Sequence, residues 1–236
     1  MDLSITADSG FAGYLRKVYM TVAGGLLVSA LVTFMLSTSP DLAHAFYHLT
    51  PNGKHAVQFT IGGWVALLLP LALIFVMAFA AAQEWSATAL NAIYGIFCAS
   101  FGVSMYAATS QYTGASVGAA LLVTAGSFTG LSLTGLLVKT PLTGLKSFCT
   151  MGLWGLVLVG LAQLIFHFSL NQTLMACISI GVFAGLTVTD SQDMRDRYST
   201  GGDTPGGVMM GAIGLYLDAI NLFLNILQIM GNKDND

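Results

Sequence analysis

The sequence predicts an all-α membrane protein built as a bundle of seven transmembrane helices, and two observations carry this prediction. Of the 236 residues, 55% are hydrophobic and only 8% are charged, whereas soluble domains carry about 25% charged residues. The apolar residues also fall into runs long enough to cross a bilayer core about 30 Å thick, which takes about 20 residues. Together they exclude a single soluble core.

Seven apolar runs follow one another along the chain, and most of them are separated by short connections. They cover residues 18–38, 57–82, 87–108, 115–138, 147–167, 172–191 and 208–230. The short connections predict one integral membrane domain over residues 1–236. The first run follows Arg16 and Lys17. It is too long for the apolar region of a signal peptide, so we expect it to remain as the first spanning helix.

The basic residues are divided unequally between the two sides of the membrane that seven spans define. With the N-terminus in the cytoplasm, the cytoplasmic side holds Arg16, Lys17, Lys139, Lys146, Arg195 and Arg197. The other side holds Lys54 and Lys233. Because short cytoplasmic loops are enriched in Lys and Arg, this bias predicts a cytoplasmic N-terminus. The net charge of −3 and the scattered basic residues do not indicate nucleic-acid binding, so we expect no nucleic-acid partner. The environment that the sequence predicts is the lipid bilayer.

The cysteine spacing does not indicate a cofactor site, and the sequence lacks the familiar catalytic motifs of enzymes. Cys98, Cys149 and Cys177 fall within or at the edge of apolar runs, without the spacing of a metal site or a disulfide framework. The chain also lacks a nucleophile elbow, a phosphate loop and a zinc motif. We therefore expect no resident cofactor and no enzymatic activity.

Asp218 lies near the middle of the last apolar run, where a carboxylate costs roughly 2.5–3.5 kcal/mol to insert. Asn221, Asn225 and Gln228 follow it in steps of three, four and three residues, which places all four side chains on one helix face. Lipid offers these groups no hydrogen bonds, so the face must turn toward protein or water. The last helix is thus predicted to be the most buried of the seven.

Two interpretations of this polar face remain open. It can be a structural seam of interhelical hydrogen bonds, or it can line an ion or proton pathway. The pathway is favoured because Asp218 is ionisable, and structural contacts rarely need a carboxyl group.

Asp190 is a second carboxylate close to the membrane, directly after the sixth apolar run. If the sixth helix continues past this residue, Asp190 lies at the mouth of the bundle and can face Asp218. Two carboxyl groups in one low-dielectric site cannot both ionise cheaply, so they share a proton. Such a pair forms a proton-controlled latch or a cation site. Four more charged residues are expected to form a solvated loop or helix extension: Asp193, Arg195, Asp196 and Arg197.

Three segments and the layout of the chain resemble one known family. The segments are LYLDAINLF at residues 215–223, TDSQ at residues 189–192 and, more weakly, YTGAS at residues 112–116. They resemble the Bax inhibitor-1 family, the transmembrane BAX inhibitor motif proteins, whose usual pattern at the second segment is Tyr-Asp-Thr-Gln. The seven-span layout extends the resemblance over nearly the whole chain.

The resemblance implies a bundle whose seventh helix is central and wrapped by the other six. It also implies a pH-sensitive calcium leak across the membrane, gated by Asp190 and Asp218, which become candidate Ca²⁺ ligands. Asn221, Asn225 and Gln228 are then pore-lining or bundle-seam residues. In some relatives a basic residue of the second helix pairs with an acid, and the run 57–82 contains no Arg or Lys. The compact chain with short tails is typical of a bacterial inner membrane protein.

Two other functions compete with the leak. One is a non-transporting regulator that binds another membrane protein, such as a protease. The other is an intramembrane aspartyl protease, because those enzymes also place one aspartate on each of two late helices. Such proteases carry a Gly-x-Gly-Asp motif, whereas residues 215–218 of this chain read LYLD. The protease is therefore the weaker alternative.

Overall fold

The computed structural model describes residues 3–48, 58–166 and 170–233, which are almost entirely helical. Within those residues, seven helices are long and apolar enough to span a membrane, which confirms the predicted all-α class. The helices are α1 Leu3–Thr38, α2 Pro40–His44, α3 Ile61–Ala82, α4 Ala87–Thr109, α5 Gly114–Leu137, α6 Thr143–Phe166, α7 Gln172–Ser199 and α8 Pro205–Met230. Two short strands, β1 Tyr47–His48 and β2 Gln58–Phe59, pair antiparallel.

Most helix ends agree with the predicted runs to within a few residues, and two do not. The helix α1 begins well before residue 18, because its first turns are polar and an apolar run does not mark them. The sixth span, α7, continues from residue 191 to Ser199 through a charged segment. Residue 57, where the second predicted run begins, and residue 167, where the fifth ends, lie outside the described residues. Lys54 also lies outside them.

The described chain forms two compact units. The first unit comprises Met1–Thr113, Thr200–Ile213 and Lys233–Asp236, and the second comprises Gly114–Ser199 and Gly214–Asn232. The helix α8 contributes its first turns to the first unit and the rest to the second. A single membrane domain over the whole chain stays a prediction.

In the first unit α4 packs against both α1 and α3. The Ser29 hydroxyl donates to the Cys98 carbonyl at 2.7 Å, and the Thr33 hydroxyl donates to the Gly102 carbonyl at 2.8 Å. The backbones approach closely at Gly102, where an added Cβ would lie 2.7 Å from the Ser29 carbonyl oxygen. Small residues that allow close approach, together with interhelical hydroxyl bonds, are how membrane helices associate without a hydrophobic driving force.

The connection between α1 and α3 contains α2 and the two strands, and the apolar runs did not predict any of them. Tyr47 is fully buried there, and its phenol donates to the Val103 carbonyl at 2.5 Å. The rings of Phe59 and Tyr106 lie 5.4 Å from the Tyr47 ring. Burial, together with Tyr106, raises the pKa of the Tyr47 phenol. The phenol therefore remains a hydrogen-bond donor and attaches the hairpin to α4.

In the second unit α7 packs against α5 and α6. Glycines mark the tight positions. A Cβ on Gly135 of α5 would collide with the Val188 carbonyl, and one on Gly185 of α7 would collide with the Cys149 sulfur. A Cβ on Gly152 of α6 would lie 2.8 Å from a Val182 methyl group. The side chains of α7 are therefore held at defined positions by helices on two sides.

The distribution of burial fits a protein that lies in a membrane. Large apolar side chains on the spans are exposed, for example Phe75 at 77% and Leu122 at 78%. The last helix differs, because 61% of its apolar window is buried, compared with 44% for α4, the next highest among the described spans. The expectation that the last helix is the most buried is confirmed.

Candidate carboxylate site

The helix α8 places Asp218 deep within its span. The Thr204 hydroxyl accepts a hydrogen bond from the Gly207 N–H at 3.1 Å, and Pro205 occupies the first helical position, where a missing N–H costs nothing. Asp218 follows Pro205 by 13 residues, or about 20 Å at 1.5 Å per residue. It lies deeper than a helix beginning at residue 208 would place it.

Asp190 lies inside a helix because α7 continues nine residues past it, to Ser199. The sequence predicted that Asp190 can face Asp218 if the sixth helix continues past it, and the helix does continue. A Cβ added to Gly214 of α8 would lie 2.8 Å from Asp190 Oδ2, so this carboxyl group lies against the α8 backbone. Gly214 precedes Asp218 by four residues, and residues with this spacing share a helix face. The structure therefore brings the two predicted aspartates together, close enough for their charges to interact.

The Asp218 carboxyl is only 4% exposed, and its Oδ2 atom lacks a hydrogen-bond partner within the described residues. Its hydrogen-bonding neighbour is Thr187, on the facing side of α7. The Thr187 hydroxyl donates to the Phe183 carbonyl at 2.8 Å. A hydroxyl has a single proton to give, so the Asp218 carboxyl must compete with that carbonyl. A buried carboxyl with an unsatisfied oxygen is a costly arrangement in a low-dielectric site.

Thr187 is a site residue that sequence reasoning missed. It precedes Asp190 by three residues, which places both side chains on the same face of α7. That spacing is the signal that could have identified it. The hydroxyl is fully buried, like that of the neighbouring Thr189, which donates to the Leu186 carbonyl at 3.1 Å.

Three charged side chains act on Asp190 from the end of α7 and the start of α6, namely Asp193, Lys146 and Arg197. Lys146 and Asp193 form an ion pair, and Asp193 is 24% exposed. Arg195 donates to the Leu136 carbonyl at 3.0 Å. This segment is the expected helix extension. Arg195, Asp196 and Arg197 are exposed, as expected, while Asp193 and Arg195 also contact other elements of the unit.

The amides of the polar face bond to their own helix. Asn221 Nδ2 donates to the Leu217 carbonyl at 2.8 Å, and Asn225 Nδ2 donates to the Asn221 carbonyl at 2.7 Å. Asn221, Asn225 and Gln228 are half-buried. These hydrogen bonds are not the interhelical bonds that a structural seam requires. They leave the amide oxygens, which are calcium-type ligands, on the polar face.

The described part of the chain contains no group of three or more His, Cys, Asp or Glu residues that could hold a metal ion. Calcium takes six to eight oxygen ligands, so two carboxyl groups need help from hydroxyl, amide, carbonyl or water oxygens. Thr187 and the polar face of α8 offer such oxygens.

Comparison with known proteins identifies the family. A family model described as an inhibitor of apoptosis-promoting Bax1 matches residues 12–235. The chain belongs to the Bax inhibitor-1 family. The resemblance seen in the three sequence segments is thereby confirmed.

Bacterial relatives of this Bax inhibitor-1 family member cover nearly the same length. The inner membrane protein YbhL of Escherichia coli K12 is 30% identical over 98% of this chain and 97% of its own length. A protein of Caulobacter vibrioides is 31% identical over 98% and 92%, respectively. A membrane protein of Streptococcus pyogenes serotype M3 is 28% identical over 97% and 96%. With seven spans and these relatives, the chain is a multi-pass inner membrane protein.

Proposed function

We propose that this Bax inhibitor-1 family protein is a pH-sensitive cation leak for which Asp190 and Asp218 form the ion site, with calcium as the ion. The observation that carries the proposal is the position of Asp190. Its carboxyl lies against α8 one turn from Asp218, whose buried Oδ2 has no hydrogen-bond partner within the described residues.

The energetic argument begins with the cost of this arrangement. A carboxyl group buried within a membrane span is expensive, and an unsatisfied oxygen adds the desolvation penalty of a hydrogen bond that is not made. A second carboxyl beside it adds repulsion whenever both ionise. A proton shared between the two, or a cation between them, relieves both penalties.

The pH response follows from the same oxygens. Calcium prefers carboxylate and carbonyl oxygens, and protons compete with it for the carboxylates. The carboxyl pair therefore exists either in a protonated state or in a cation-accepting state. This competition makes the leak sensitive to pH without any further titrating group.

The other two functions fit the site less well. A protease dyad requires a general acid–base pair that activates water at a peptide bond, and residues 215–218 depart from the motif of the known intramembrane aspartyl proteases. A regulator that only binds another membrane protein does not need two carboxyl groups at this position. The proposed activity is transport without catalysis.

The test is calcium flux into liposomes that contain only the purified protein. We expect the wild type to pass calcium and Asp218→Asn to lose most of the flux, because the amide removes the negative charge while keeping the shape. Asp41→Asn is the matched control, since Asp41 is exposed on α2. Absence of flux from the wild type at every pH between 5 and 8 would favour the regulator.

A further inference from the structure

The connection between α5 and α6, residues 138–142, has no regular secondary structure of its own, and one side chain of α7 supplies hydrogen bonds to its backbone. Gln192 Oε1 accepts from the Leu142 N–H at 2.9 Å. Its Nε2 donates to the Val138 carbonyl at 3.0 Å and to the Thr140 carbonyl at 2.9 Å. Both amide protons and the amide oxygen of Gln192 are thus used on this connection.

Two further ties hold the same region. Lys146, in the first turn of α6, pairs with Asp193 of α7. Arg195 of α7 donates to the Leu136 carbonyl at the end of α5. Gln192 therefore lies between an ion pair on the α6 side and an arginine–carbonyl bond on the α5 side. Each of these outer ties is a single contact, whereas Gln192 makes three hydrogen bonds to the backbone of the connection.

Beneath the connection lies a cavity of about 130 Å³, whose α7 wall includes Thr189, Gln192 and Asp193. Thr189 is the chain neighbour of Asp190 and is 1% exposed. Lys146 and Asp193, which line the cavity, also act on the Asp190 carboxyl. The cavity therefore lies along the same stretch of α7 as Asp190.

We propose that Gln192 is a positioning residue whose amide holds the α5–α6 connection against α7 beside Asp190, and that this closure slows the exchange of water and ions with the carboxylate site. The expected effect on calcium flux rests on the proposed function, whereas the closure of the α5–α6 connection against α7 does not. Gln192 lies two residues from Asp190 in the chain but acts on the connection. It is not an ion ligand.

The test of closure uses the intact chain with its native cysteines replaced and a single cysteine introduced by Thr189→Cys. Modification of this cysteine by a membrane-impermeant thiol reagent is expected to be slow when Gln192 is present. Gln192→Ala removes all three hydrogen bonds and should speed modification by at least about tenfold. Gln192→Glu keeps the size and the bond from Leu142 but loses both donors, so it should give an intermediate rate.

The matched control is Gln111→Ala. Gln111 Nε2 donates to the Ala107 carbonyl within its own turn, at 3.2 Å, in the other unit. This substitution makes the same chemical change without touching the connection, and it should leave the modification rate unaltered. Equal rates for Gln192→Ala and the wild type would overturn the proposal.

Calcium flux through the same variants separates this proposal from the proposed function. Faster flux in Gln192→Ala, abolished by Asp218→Asn in the same chain, supports both. Faster cysteine modification with no calcium flux in any variant supports closure and overturns the leak. A wild-type flux that Gln192→Ala leaves unchanged despite faster modification overturns the control of exchange by Gln192.

Discussion

Asp190 Oδ2 and Gly214 are in contact across α7 and α8, so closely that a Cβ on Gly214 would lie 2.8 Å from the carboxyl oxygen. Only glycine lets the carboxyl lie against the α8 backbone one turn from Asp218. The glycine and the aspartate therefore act together. One residue provides the space, and the other brings a second negative charge to the most buried span.

Gly214→Ala should change function more than folding. The atom that the new methyl group meets is the end of a side chain, which can rotate away, so we expect the melting temperature in detergent to change by only a few degrees. Calcium flux should change several-fold because Asp190 is displaced from Asp218. Gly160→Ala, where an added Cβ meets nothing within 4 Å, serves as the control and should leave flux unchanged. Normal flux in Gly214→Ala would contradict the role of this contact.

Gly135→Ala should instead destabilise the protein. Its Cβ would collide with the Val188 carbonyl, which is backbone and cannot rotate away, so α5 and α7 must separate. Overpacking of this kind costs about 1–3 kcal/mol in the free energy of unfolding. Gly130→Ala on the same helix has open space around it and should stabilise α5 by roughly 0.5–1 kcal/mol through helix propensity. Thermal unfolding of the two variants in the same detergent makes the comparison, and equal melting temperatures would contradict it.

Acidification should weaken calcium binding at the carboxyl pair. Protons and calcium compete for the same oxygens, so the calcium concentration that gives half-maximal flux should rise as the pH falls. Asp190→Asn and Asp218→Asn should each remove most of this pH dependence. The double variant should add little to either one, because residues that act as a unit are not additive. A full pH response in both single variants would contradict the carboxyl pair and favour a structural role for the polar face.

Tyr47→Phe should cost about 0.5–1.5 kcal/mol in the free energy of unfolding, the usual net value of one hydrogen bond. The wild type should also lose stability in alkali. The pKa of the Tyr47 phenol is raised above its ordinary value of 10.0, so its contribution is complete below that pH and is lost as the pH rises above it. Chemical denaturation between pH 8 and 11 should therefore show the two proteins converging. A difference that stays constant over this range would rule out titration of Tyr47.

The orientation can be tested with two single cysteines. The six-to-two distribution of basic residues predicts that Lys139 faces the cytoplasm and that His48 faces the other side. In intact cells an impermeant thiol reagent should modify His48→Cys and not Lys139→Cys. In inverted vesicles the pattern should reverse. Modification of Lys139→Cys in intact cells would place the α5–α6 connection, which Gln192 holds, on the outer side.

The amino-acid sequence alone determined the membrane class, the seven spans, the family and the two aspartates. These features are recoverable because hydropathy and helical spacing are local properties. A run of apolar residues spans a bilayer whatever its neighbours are, and steps of three and four residues place side chains on one face of any helix. The polar face of α8 and its high burial follow from the same reasoning, since lipid cannot satisfy its hydrogen bonds.

Only the tertiary structure decided which groups meet. Nothing in the chain near Gly214 indicates that Asp190 lies against it, and nothing near Gln192 indicates that it holds residues 138–142, about 50 positions away. Most of the charged segment after Asp190 is exposed, as its composition predicts, but the partners of Asp193 and Arg195 come from other helices and could not be predicted. The hairpin that Tyr47 attaches to α4 could not be predicted for the same reason. Contacts between distant segments depend on how helices pack, and packing is a property of pairs of surfaces that no single stretch of sequence contains.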